Sequence, residues 1–93
     1  MPEITVLWTE YFRYRCRLRD FDLATVERIA RYSTERYYDT ATGRNVAVGP
    51  HDKRLAMIAY EQEGNTLTPV TIHATSRQQI NSRVKSGRFK NNE

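Results

Sequence analysis

A change of hydrophobic period after about residue 35 limits the folds open to this chain more than any other feature. Before it, apolar residues recur at helical spacing; after it, they run in short β-type stretches separated by turn residues. Ile4 to Trp8 is short, β-branched and apolar, and predicts a first strand. Thr9 is suited to cap a helix running to about Arg19, with Glu10 favourable in its first turn. Along that helix Phe12 and Cys16 make an apolar ridge, while Tyr11, Arg15 and Arg19 make an aromatic-basic one. Asp20-Phe21-Asp22 interrupts the pattern, and Asp22 is placed to cap a second helix with Leu23, Val26, Ile29 and Ala30 on one face.

The strand-forming half begins with Arg36 to Tyr38, followed by a turn over residues 39–43 and a second strand from Asn45 to Val48. A turn over residues 49–52 precedes Arg54 to Tyr60, whose Leu-Ala-Met-Ile-Ala centre predicts a buried strand. Glu63-Gly64-Asn65 predicts a hairpin turn into a last strand, Leu67 to His73. Pro69 lacks an N–H donor and belongs at an edge or a non-bonded position. Thr75 to Gln78 fits a capping box for a final helix over residues 76–85, with Ile80 and Val84 facing the core and Gly87 ending it. Phe89 is expected to dock and residues 90–93 to fray. The order predicts an α+β fold: two N-terminal helices, an antiparallel sheet of about four strands and a C-terminal helix.

At 93 residues the chain makes one domain, residues 1–93. Such a domain buries about 65% of its unfolded surface, enough for one small core, so a site on it is expected to be an open groove. Cys16 is the only cysteine, which excludes an intrachain disulfide and a multi-cysteine zinc site and fits a reducing compartment. No apolar run approaches a bilayer span, and the N-terminus lacks a basic, apolar leader pattern, so a cytoplasmic protein without membrane contact is expected.

Twelve of the 15 basic residues are Arg, the side chain that forks onto phosphates and stacks on bases. Between Gly64 and Asn92 there is no acid, whereas Arg77, Arg83, Lys85, Arg88 and Lys90 are basic. Arg13, Arg15, Arg17 and Arg19 crowd the first helix, interleaved with Tyr11 and Tyr14. If both helices flank one sheet, their arginines frame a groove for RNA; the plainer alternative is two solvated helix faces. His73, at the end of the last strand, is the candidate general acid or base; a His bonded to backbone or cap is the alternative. His51 sits in a turn beside Asp52, Lys53 and Arg54, where it is a weaker candidate for RNA contact, with Arg54 at the mouth of the sheet. No metal-ligand spacing, nucleophile motif or glycine-rich phosphate loop is present, and no cofactor is implied. Tyr37, Tyr38 and Tyr60 are assigned to the core.

The stretch Trp8-Thr9-Glu10-Tyr11-Phe12-Arg13-Tyr14-Arg15-Cys16-Arg17-Leu18-Arg19, with Phe21 to Val26, resembles the N-terminus of small toxin-like domains grouped near the BrnT toxins. Their pattern is His, then Arg four and eight residues on; here Tyr11, Arg15 and Arg19 fill those places, with Tyr instead of His. Residues 39–49 resemble the first hairpin of that family, and Val70 to Gln79 its last strand running into an Arg-rich helix. The resemblance implies a RelE/ParE-like fold and a ribonuclease toxin neutralised by a cognate antitoxin protein. It gives Arg15, Arg19 and Arg77 as inherited basic positions.

The combined expectation is a metal-independent endoribonuclease of a toxin–antitoxin pair. His73 acts as acid or base, Arg15, Arg19 and Arg77 hold the scissile phosphate, and Tyr11 orients the RNA. Arg54, Arg83, Lys85 and His51 add RNA contacts. The alternative is a non-catalytic binding module, either a ParE-like inhibitor of a protein target or a nucleic-acid-binding protein.

Overall fold

The computed structural model describes residues 3–91. The elements follow in the order β1 (Thr5–Val6), α1 (Glu10–Leu18), α2 (Leu23–Tyr32), β2 (Glu35–Asp39), β3 (Arg44–His51), β4 (Arg54–Glu63), β5 (Thr66–Thr75), α3 (Arg77–Lys85) and β6 (Phe89–Asn91). They build one six-stranded sheet in the order β1-β5-β4-β3-β2-β6. Every neighbouring pair is antiparallel except β1 with β5.

The architecture is α+β, but this sheet overturns the expected antiparallel sheet of about four strands. β1 joins it parallel through only Thr5↔Thr66 and Val6↔Leu67. β6 forms where the tail was expected to fray, at Lys90 and Asn91; residues 92–93 of that expectation lie outside the described residues. Its cause is side-chain docking. Phe89 is buried and stacks on Tyr37 at 5.3 Å between ring centroids. Arg88 forks onto the buried Asp39 through Nε and Nη2 at 2.9 and 3.0 Å. A bidentate contact of this kind fixes both position and direction of the incoming strand.

The helices do not share one face of the sheet. Strand residues alternate between faces, and β3 shows the division. Ala47 packs with Phe12, Cys16, Val26, Ile29 and Ala30 of α1 and α2. Val46 and Val48 pack instead with Ile80 of α3 and with Phe89, Tyr37, Leu55 and Met57. α1 and α3 therefore cover opposite faces, and no groove runs between them. Under α2 the sheet is made of small residues: Gly49 pairs with Ala56, and a Cβ on Gly49 would come within 2.8 Å of Ile29 Cγ1. The absence of a side chain there lets α2 close onto the strands.

Local signals explain the helix boundaries. Thr9 Oγ1 accepts from Phe12 N at 3.1 Å, and Asp22 Oδ2 accepts from Thr25 N at 3.0 Å. At α3 the cap is Ser76, accepting from Gln79 N at 3.2 Å, rather than Thr75, which belongs to β5. Val84, expected in the core, is 43% exposed, and Ile80 alone among α3 residues is buried. α3 is thus anchored by one apolar side chain and by polar contacts.

Candidate nucleic-acid interface

Beyond Leu67, β5 has no β1 partner on its outer side. A free strand edge exposes backbone donors and acceptors and has to be protected. A register shift between Ala59 and Tyr60, opposite the stretch that contains Pro69, bends the edge. Further along, a side chain from α1 covers it: Arg19 Nη1 donates to the carbonyl of Ile72.

The same Arg19 nitrogen lies 2.7 Å from His73 Nδ1. A guanidinium has only donors, so Nδ1 must be the acceptor. The proton of the neutral ring is then on Nε2, which has no hydrogen-bond partner among the described residues. His73 pairs across the strands with Met57, and Arg83 of α3 reaches the Met57 sulfur at 3.3 Å. Arginines thus come to His73 from both faces of the sheet, Arg15 and Arg19 from α1 and Arg83 from α3. Partial burial of the ring, and then the charges of Arg19, Arg15 and Arg83, hold the His73 pKa below the usual histidine value. Both causes favour the neutral ring. None of the three arginines is ion-paired with a carboxylate among the described residues, in contrast to Arg31, Arg44, Arg77 and Arg88.

The remaining candidates lie elsewhere. Arg77 is bound to Glu35, with Nη2 at 2.9 Å from Oε1, and Tyr37 Oη donates to the same carboxylate at 2.7 Å. These bonds hold the Glu35 carboxyl below its ordinary range. Arg77 therefore clamps the start of α3 to β2 and has its charge balanced by Glu35. His51 is only 3% exposed, and its Nε2 accepts from Asp22 N at 2.8 Å. Its ring also meets Phe21 edge-on at 5.1 Å. It supports the turn before α2 and does not reach a surface where RNA would lie. Arg54 is the companion strap: it stacks 4.1 Å over the Phe21 ring and donates to Asp20 O at 2.7 Å. Lys85 is exposed at the end of α3 beside Ser82 and Asn81. Tyr11 is exposed next to the cluster, with Arg15 over its ring at 5.6 Å.

Sequence reasoning pointed to Arg15, Arg19, His73 and Arg83 but grouped Arg77 with them. The signal against Arg77 was Glu35, whose position across the sheet no local pattern reveals. Among the tyrosines, Tyr60 is buried as expected, Tyr37 is half-buried and Tyr38 is exposed. Cys16 is buried on the core side of α1, and desolvation pushes its thiol up to about 11, so it is not a nucleophile at neutral pH.

Among the described residues no group of three or more His, Cys, Asp and Glu is placed to hold a metal ion. No helix among them is long and apolar enough to cross a membrane. No protein-family model, curated protein or solved structure matches this chain. The toxin resemblance accordingly rests on its short motifs alone.

Proposed function

We propose that the chain is an RNA-binding module whose contact surface is the outer edge of β5, with Arg15, Arg19, His73 and Arg83 as its clamp. The observation that carries this reading is the 2.7 Å contact of Arg19 with His73 inside an arginine cluster that lacks a carboxylate. Guanidiniums without an internal counterion remain free to pair with phosphates. The neutral imidazole between them offers an N–H, suited to a sugar hydroxyl rather than to a second charge. A cation–donor–cation arrangement matches a backbone that alternates phosphate with 2′-hydroxyl, the group that distinguishes RNA from DNA. Fluorescence anisotropy with a labelled ten-nucleotide oligouridylate and its deoxy counterpart tests this. The RNA should bind more tightly, and His73→Ala should remove the preference. Equal affinity of the wild-type protein for both strands would refute the role of His73.

A second reading is metal-independent RNA cleavage at the same cluster. Its support is that partial burial and the arginine charges around His73 favour its neutral form, the one that accepts a proton. Cleavage requires Arg19 to leave Nδ1 for the scissile phosphate. The freed lone pair then takes the 2′-hydroxyl proton and the 2′-oxygen attacks phosphorus; the P–O5′ bond breaks, and the 5′-oxygen leaves with the bonding pair and takes a proton from water, giving a 2′,3′-cyclic phosphate and a 5′-hydroxyl. In that case the chain acts as an RNA-cleaving toxin, and its expression arrests growth. Incubation with RNA in EDTA decides between the two: cyclic-phosphate ends that vanish with His73→Ala establish cleavage, and intact RNA leaves binding alone.

A further inference from the structure

The outward face of α1 carries a feature that phosphate binding does not use. Tyr11, Tyr14 and Leu18 are 59%, 52% and 60% exposed. At about 100° per residue they fall within about 60° of one another, on the side turned away from Phe12 and Cys16. Exposed helix positions are ordinarily polar, yet here three large side chains form one row. Such a row covers roughly a few hundred Å², a patch size that marks interaction sites on monomers. The spacing of three and four is the a/d row that another helix accepts as knobs into holes.

Charge narrows the choice of occupant. By the same rotation Arg15 flanks the row on one side and Arg17 on the other, with Arg13 farther round the helix. A second copy of this chain would bring two arginine sets together and pay like-charge repulsion. RNA bases fit the row poorly, because Leu18 has no ring to stack and Arg15 already lies over the Tyr11 ring. A partner helix with acidic flanks satisfies both the apolar row and its basic margins.

We propose that the Tyr11–Tyr14–Leu18 row is a docking seam for an amphipathic helix of a partner protein, with apolar a and d positions and Glu or Asp beside them. α1 has nine residues, about 13.5 Å at 1.5 Å per residue, so about two turns of the partner engage. That contact is below the ~800 Å² per partner of stable complexes, and micromolar affinity is expected.

The probe is a labelled 21-residue peptide of three heptads, with Leu at a and d and Glu at e and g; mutual Glu repulsion keeps it from pairing with itself. Its partner probe carries Lys at e and g. The Glu peptide should bind in the micromolar range and weaken with salt, and the Lys peptide should not bind. The double variant Tyr14→Gln, Leu18→Gln should reduce binding at least tenfold while leaving the melting temperature and oligouridylate affinity unchanged. Equal binding of both peptides, no binding of the Glu peptide, or an unchanged affinity in the double variant would overturn the proposal. So would loss of oligouridylate binding in the variant, which makes the row an RNA surface, or a wild-type dimer that Leu18→Gln dissolves, which makes the occupant a second copy.

Discussion

The contrast between Arg19 and Arg77 is the sharpest test of the proposed RNA contact. Both were expected at one phosphate, but the structure leaves Arg19 among like charges and binds Arg77 to Glu35. Three guanidiniums without carboxylates, each meeting one phosphate of a single strand at about 0.7 released counterions, give a slope of log K against log salt of about −2. Arg19→Gln should lower that slope to about −1.4, and at 0.1 M salt the lost counterion term alone is about fivefold in affinity. Arg77→Gln should leave slope and affinity unchanged, since it removes a charge already neutralised by a neighbour. The assay is anisotropy of labelled oligouridylate over roughly 50–500 mM NaCl, a range over which screening changes strongly, with melting curves confirming that both variants are folded. An Arg77→Gln slope as shallow as that of Arg19→Gln would refute the assignment of the clamp to the β5 edge.

Other consequences follow from individual contacts. Gly49→Ala should cost about 1–3 kcal/mol through the clash with Ile29; Ile29→Ala should relieve part of that cost and Ile29→Val should not, because valine keeps the offending carbons, and urea unfolding of the single variants and of the two Gly49–Ile29 double variants shows it. The Asp39 carboxyl is held below its usual range, first by the Arg88 hydrogen bond. The stability it contributes is therefore complete above the unfolded value near ~3.9 and disappears as pH falls through the lower folded value. Arg88→Ala should weaken that acid dependence, leaving the part due to the Ala41 and Thr42 hydrogen bonds, and cost about 2 kcal/mol, less than a fully buried pair because water reaches the guanidinium. His73 should titrate below a free histidine in NMR spectra, Arg83→Gln should raise its pKa, and bound oligouridylate should raise it further by cancelling arginine charge. A His73 shift insensitive to Arg83 would separate that residue from the cluster.

What was legible in the sequence is what local physics decides. Thr9 and Asp22 announce two helix starts because a short polar oxygen before an apolar period has one favourable use. The face of α2 follows from Val26, Ile29 and Ala30 at helical spacing, all three buried. Where two signals were adjacent, chain context outweighed pattern: Thr75 remains in the strand, and Ser76 takes the cap. β6 has three residues and only one buried side chain, so no period of two marks it. It exists because Asp39, 49 residues earlier, needs Arg88.

The placement of α3 explains why the groove expected between α1 and α3 does not form. A helix with one buried residue carries too narrow an apolar stripe to show which face of a sheet it will cover. Assigning it to the side of α1 makes a groove with Arg77 inside. Across the sheet, the first residue of α3 meets Glu35 and is neutralised, while Arg83, near its other end, reaches Met57 and acts on His73. Arginines of the two basic helices therefore act on His73 from opposite faces of the sheet rather than across a cleft. An edge needs cover in any case, and Arg19 supplies it by bonding the Ile72 carbonyl. The protective contact and the proposed RNA contact thus depend on one guanidinium. Under the proposed function, a phosphate that draws Arg19 away from His73 would also uncover the outer side of β5, so ligand binding and exposure of that edge would be coupled through a single side chain.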